Sequence, residues 1–169
     1  MKKLSYTLAL LLTASITFSS CNTGGGQSVT INGVRWATHN VDVPGTFTKN
    51  VTDAGGYFTF EEAQNACPQG WRVPTRDELQ SLVDAGSEWT TKNSVNGRLF
   101  GGRRNQLFLP AAGWRNLDGA FNGVDTDGRY WSSTQESSTA ARLLWFGNNG
   151  WVVNSFPPTG NFSVRCVAK

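Results

Sequence analysis

Hydrophobic and polar positions divide the chain into a front half of turns and helix starts and a back half of strand-like runs. Val29-Thr30-Ile31-Asn32-Gly33-Val34-Arg35-Trp36 alternates around an Asn-Gly pair, which predicts a two-residue hairpin. Residues 40–58 carry Pro44-Gly45 and Gly55-Gly56 and read as an irregular loop. Thr59-Phe60-Glu61-Glu62 is a capping box: the Thr59 hydroxyl and the Glu62 carboxylate each satisfy a backbone N–H at a helix start. It predicts a short helix through Cys67, stopped by Pro68. Thr75-Arg76-Asp77-Glu78 repeats the device. Its helix runs to about Ala85, collects Leu79, Leu82 and Val83 on one face, and ends at Gly86.

Past Gly86 the helical signals stop. Leu107-Phe108-Leu109-Pro110 reads as a buried strand and Ala111–Arg115 as another, followed by a Gly/Asp/Asn-rich turn region from Asn116 to Gly128. Arg129–Thr134, Ala141–Phe146, Gly150–Phe156 and Phe162–Val167 complete the strands, with Asn148-Asn149 as a hairpin turn. Helices gathered at the front and strands at the back argue for an α+β fold with a mostly antiparallel sheet.

The N-terminus adds a targeting layer. Lys2 and Lys3 precede an apolar stretch from Leu4 to Phe18, then Ser19, Ser20 and Cys21, the order of parts of a secretory signal. That stretch is shorter than the ~20 apolar residues of a bilayer-spanning helix. Cys21 after two small residues resembles the bacterial lipobox, although Phe18 stands where Leu is commoner. The resemblance implies a signal peptide at 1–20, an acylated Cys21 anchored at the outer membrane of the cell envelope (periplasmic or surface face), and a Gly-rich tether over 21–27. One domain then occupies 28–169.

Removing the signal changes the charge. Of 15 Lys+Arg, Lys2 and Lys3 are lost, leaving 13 against 12 Asp+Glu, a net of +1. Neither this balance nor any basic patch interleaved with aromatics supports nucleic-acid binding. With Cys21 acylated, Cys67 and Cys166 are the remaining cysteines, and in an oxidising envelope two such cysteines are expected to pair. The rival reading, a nucleophilic thiol, has no neighbouring His in sequence to activate it, His39 being the single histidine.

Longer motifs carry a family resemblance. Ala63-x-x-x-Cys67-Pro68-x-Gly70-Trp71-Arg72-Val73-Pro74-Thr75-x-x-Glu78-Leu79, Leu107-Phe108-Leu109-Pro110-Ala111-Ala112-Gly113, Tyr130-Trp131-Ser132-Ser133 and Ser163-Val164-Arg165-Cys166-Val167 resemble the Fibrobacter succinogenes major paralogous domain (FISUMP) family over about residues 28–168. The resemblance implies a C-type-lectin-like fold, two short helices packed on a twisted, mostly antiparallel sheet, with the first helix bridged to the last strand. It does not extend to calcium-dependent sugar binding, because the Glu-Pro-Asn or Gln-Pro-Asp loop and the Trp-Asn-Asp strand of such lectins are absent. The layout of 129–167 also resembles the variable region of diversity-generating retroelement targets.

Candidate chemistry is sparse. No Ser/His/Asp grouping accompanies His39, and Glu61, Glu62 and Glu78 are explained by helix starts, so no catalytic residue and no cofactor is expected. The related formylglycine-generating lineage needs a reactive cysteine pair, whereas Cys67 and Cys166 read as structural. The 118–128 loop has oxygen ligands at a density that suits calcium, but Gly123 breaks the EF-hand pattern and Asp, Asn and Gly are ordinary turn residues; no metal is expected. Aromatics are the anomaly: 7 Trp in 169 residues. Trp36, Trp71 and Trp131 are assigned to the core. The family pattern turns Ala141, Leu144 and Phe146 inward; Leu144 and Phe146 share a face by spacing, so Leu143 and Trp145 turn outward, while Ala141 sits off that parity, as at an irregular strand start. Trp151 is placed across the turn as a flank for Trp145, although Asn154 and Phe156 have the other parity from it. With Trp114, Asn116, Arg142, Asn148 and Asn149 nearby, this face is expected to recognise a protein or glycan. The alternative is a structural subunit of an envelope or cell-surface assembly.

Overall fold

The computed structural model describes residues 28–169; the expected signal peptide, Cys21 and the tether lie outside the described residues. Strands β1 (Ser28–Ile31) and β2 (Val34–Asn40) form the expected hairpin. Its turn places Asn32 and Gly33 at φ of 48° and 81°, the pairing for which Asn-Gly is suited. β2 pairs with β12 (Arg165–Ala168), which pairs with β3 (Trp71–Arg72), so both ends of the described chain share one four-stranded sheet.

Both capping boxes form. Thr59 accepts from the Glu62 N–H, and the Glu62 carboxylate accepts from the Thr59 N–H at 2.8 Å. The helix it opens, α1 (Phe60–Ala63), is shorter than expected. The N–H groups of Gln64, Asn65 and Ala66 donate three residues back, to Glu61, Glu62 and Ala63. This tightens the chain into turns that carry Cys67 to the edge of β12, where it is joined to Cys166 in a disulfide spanning 99 residues of sequence. Helix α2 (Arg76–Asp84) starts at Thr75 as expected and buries Leu79, Leu82 and Val83. Its Glu78 also accepts two hydrogen bonds from the Arg72 guanidinium, at 2.6 and 2.7 Å.

Three strands follow where the sequence signals one. β4 (Ser87–Lys92) and β5 (Val95–Phe100) form a hairpin, and β5 also pairs with β6 (Leu107–Pro110). The β4–β5 turn rests on Asn93 and Ser94, both at positive φ. Gly97 and a buried Arg98 interrupt the alternation that would have revealed β5. The expected strand Ala111–Arg115 survives only as β7 (Trp114–Arg115), paired with β8 (Phe121–Asn122). The chain bends at Gly113, φ 68°, where a Cβ would sit 2.1 Å from the Asn122 carbonyl.

β9 (Asp127–Ser137), β10 (Ala140–Gly147) and β11 (Gly150–Phe156) form an antiparallel sheet with β10 in the middle. Register sets its faces. Asp127, Arg129, Trp131, Leu143, Trp145, Asn154 and Phe156 share one, and Tyr130, Leu144, Phe146 and Trp151 the other. Each face carries its own hydrophobic core. The first gathers Trp131, Ala141 and Leu143 with Phe60, Ala63, Phe162 and Cys166. The second gathers Tyr130, Leu144 and Phe146 with Leu79, Leu82, Phe100 and Leu107. The expected outward Leu143 is therefore corrected: it is 0% exposed, because the α1 segment and Phe162 roof its face. Ala141 lies on this same face, not beside Leu144 and Phe146. Trp36 and Trp131 are fully buried as expected, whereas Trp71 is half-buried at the margin of the first core. The architecture is mostly antiparallel sheet with two short helices, as an α+β reading requires.

Candidate functional site

The roof over the first core stops short of the β10–β11 turn, and what it leaves open is built around Arg129. The guanidinium lies 3.5 Å from the centre of the Trp114 ring and within 6 Å of three more, Trp145 at 5.3 Å, Phe156 at 5.2 Å and Phe162 at 5.7 Å. Such stacking is a cation–π arrangement, stronger where water is excluded. The Arg129 side chain is 11% exposed, and its nearest carboxylate oxygen, Asp127 Oδ2, stands at 3.8 Å. Nε is buried with no hydrogen-bond partner. Burial lowers the pKa of the group, with Asp127 opposing.

Local chemistry fixes this cluster. Trp114 is held by β7 and by its own Nε1–H, which donates to Asn116 Oδ1 at 3.0 Å. Gly123 leaves room for that indole, since a Cβ there would lie 2.4 Å from it. Trp145 is positioned by β10 opposite Arg129 of β9, and Phe156 packs edge-on against both Trp145 and Phe162.

Two depressions open on either side. The first, about 210 Å³, is lined by Trp114, Arg115, Asn116, Arg129, Phe156 and Asn161 among others. The second, about 530 Å³, is lined by Asp127, Trp145, Asn148, Asn149, Trp151 and Val152 among others. The contacts of Arg129 with Asp127 and Trp145 make the two adjoin. The hairpin tip that walls the second is tied down by buried Arg98, whose Nη1 donates to the Gly147 carbonyl at 2.7 Å.

The expected residues therefore divide. Trp114, Asn116 and Phe156 line the first depression and Trp145, Asn148, Asn149 and Trp151 the second. Trp151, 42% exposed, reaches it from the opposite sheet face to Trp145, so the two indoles border the hairpin tip without forming a single platform. Leu143 belongs to the core. Arg142 is on the other sheet face, engaged with Glu136, and Asn154 is exposed on β11 with its Oδ1 accepting from the Ser155 N–H; neither lines a depression. Sequence reasoning missed Arg129, Arg115, Asp127 and Asn161. The available signal was parity: Arg129 shares a face with Trp131 and sits among the buried Gly128, Tyr130, Trp131 and Ser132.

Other candidate chemistry has local explanations. His39 Nδ1 lies 3.0 Å from the Thr38 hydroxyl, and burial lowers its pKa, with Arg165 acting the same way and Asp53 opposing. In the 118–128 loop Asp118 accepts from the Ala120 N–H and Asp127 faces Arg129. Among the described residues no three His, Cys, Asp or Glu side chains gather.

The family model described as the Fibrobacter succinogenes major domain matches residues 21–168, so the chain belongs to that family. Neither the curated proteins nor the solved structures give a match.

Proposed function

We propose that this member of the Fibrobacter succinogenes major domain family is a non-catalytic, glycan-binding domain of an exported lipoprotein. Cys21 would anchor it at the outer membrane, and the tether would hold the domain clear of the lipid. The observation that carries the reading is the pairing of Trp114 and Trp145 around Arg129, between two depressions edged by Asn116, Asn148, Asn149 and Asn161. Indole rings supply apolar surface for the faces of sugar rings, while side-chain amides offer both a donor and an acceptor to hydroxyls. Depressions at or below roughly the 300–1,000 Å³ of ordinary ligand pockets suit single units of a longer chain.

A C-type-lectin-like arrangement is part of this proposal. It is supported by the meeting of the chain ends on β12 and by the Cys67–Cys166 link from the α1 segment to that strand. That link leaves no free thiol among the described residues, which argues against cysteine chemistry.

The test is binding of the full chain, purified in detergent, to a glycan array beside a Trp114→Ala/Trp145→Ala variant. The proposal expects saccharide binding by the wild type and its loss in the variant. Equal binding by both removes this face. The second reading, an assembly subunit, is favoured by exposed Leu117, Phe121, Val124, Trp151 and Val152; sedimentation showing stable self-association without saccharide binding would support it.

A further inference from the structure

The two depressions differ in charge. Arg115 and Arg129 line the smaller one and no carboxylate does; Asp127 lines the larger one and no cation does. Arg115 engages its Nε with the Gly119 carbonyl at 3.3 Å and lies over Phe121, on the solvent side. Arg129 forms the inner wall, with its buried Nε unpartnered and its nearest carboxylate oxygen at 3.8 Å, beyond hydrogen-bond reach. With one buried N–H unpartnered and a single carboxylate held at the long distance of 3.8 Å, the desolvation cost of the Arg129 cation is only partly offset, and an arriving anion offsets more of it. With Nε buried, the two Nη groups are the planar pair of donors left to match a carboxylate.

Arg165 offers a contrast. It is also buried and forms no ion pair with a carboxylate among the described residues, but it is sealed between the cores and donates to Asn40 Oδ1 and the Ala37 carbonyl, so nothing from solvent reaches it.

We infer that the ligand is an acidic saccharide whose carboxylate enters the Arg115/Arg129 depression while a neighbouring unit lies over Trp145 toward Asn148 and Asn149. This rests on the glycan-binding reading and specifies its ligand. Four aromatic rings hold the Arg129 plane, so the fork is set before the ligand arrives and little side-chain entropy is lost on binding.

The experiment titrates the full chain in detergent with uronic-acid oligosaccharides, their carboxyl-reduced neutral counterparts, sulfated oligosaccharides of the same backbone, and an acidic peptide. The uronic acids are expected to bind at least ten-fold more tightly than the reduced forms, and also more tightly than the sulfated forms. Arg115→Gln, on the exposed side, is expected to weaken uronic-acid binding several-fold and to narrow its preference over the reduced form; Arg129→Lys, which keeps charge but not the fork, is expected to narrow that preference as well. Circular dichroism of each variant reports whether it is folded. Equal or better binding of the reduced forms, preference for sulfate, or insensitivity to Arg115→Gln overturns the inference and leaves glycan binding standing. Binding of the acidic peptide alone, or of nothing, overturns both.

Discussion

Leu143 and Trp145 project from the same face of one strand, yet Leu143 is sealed within the first core while Trp145 is half-buried beneath the Arg129 guanidinium. One face thus changes from interior to the wall of a depression within two residues. Leu143→Ala is expected to cost about 2–5 kcal/mol of stability, the range for large-to-small changes at buried sites. Trp145→Ala is expected to cost less stability and to remove ligand binding. Urea unfolding of both, beside a binding measurement on the folded fraction, checks the division. Comparable stability losses would deny it.

The Cys67–Cys166 link closes a loop of 99 residues, for which the chain-entropy account gives about 4.7 kcal/mol. Native protein treated with a thiol-labelling reagent is expected to show neither cysteine modified until it is reduced. The Cys67→Ser/Cys166→Ser variant is expected to lose several kcal/mol in denaturant unfolding. A free thiol at Cys67 or Cys166 in the untreated protein would contradict this.

Arg72 holds Glu78 ionised. Its hydrogen bonds are the largest influence lowering the Glu78 pKa from 4.5, ahead of the Thr75 backbone N–H, with burial opposing. A carboxylate with a depressed folded-state pKa contributes stability that is fully present above 4.5 and is lost as pH falls through the folded value. Glu78→Gln keeps the capping geometry but removes the charge. With Arg72 partly exposed, the loss at neutral pH is expected to be up to about 1 kcal/mol. Thermal unfolding below pH 4.5 should depend less on pH in the variant. An identical acid limb would refute the assignment.

Gly128 of β9 faces the Phe146 ring, and a Cβ there would lie 2.1 Å from it. Phe146 also stacks on Tyr130 at 5.9 Å, so the ring has little freedom to yield. Gly128→Ala is expected to destabilise the domain by about 1–3 kcal/mol, as overpacking does. An unchanged melting temperature would show that the sheet shifts freely.

What the sequence made legible was local. Thr59 with Glu62, Thr75 with Glu78, and Asn32-Gly33 each carry their structural instruction within four residues. Cys67 and Cys166 left one pairing once Cys21 was set aside, and that pair is bonded. The β4–β5 hairpin was not legible, because Gly97 and Arg98 occupy interior positions for long-range reasons: a Cβ at Gly97 would meet the Leu109 carbonyl at 2.4 Å, and Arg98 serves the distant Gly147. Parity separated Leu143 from Leu144 correctly but could not reveal that both faces of the sheet are covered. The Arg129 cluster assembles β7, β9, β10, β11 and the chain after it, a convergence that no single stretch of sequence announces.

The most direct measurement of the binding face follows the indole Nε1–H resonances of the 7 tryptophans in a titration with a saccharide selected on the array. The Trp114 and Trp145 signals are predicted to shift and saturate together, while those of the fully buried Trp36 and Trp131 stay in place. Saturable shifts confined to other tryptophans, with Trp114 and Trp145 unmoved, would contradict the account.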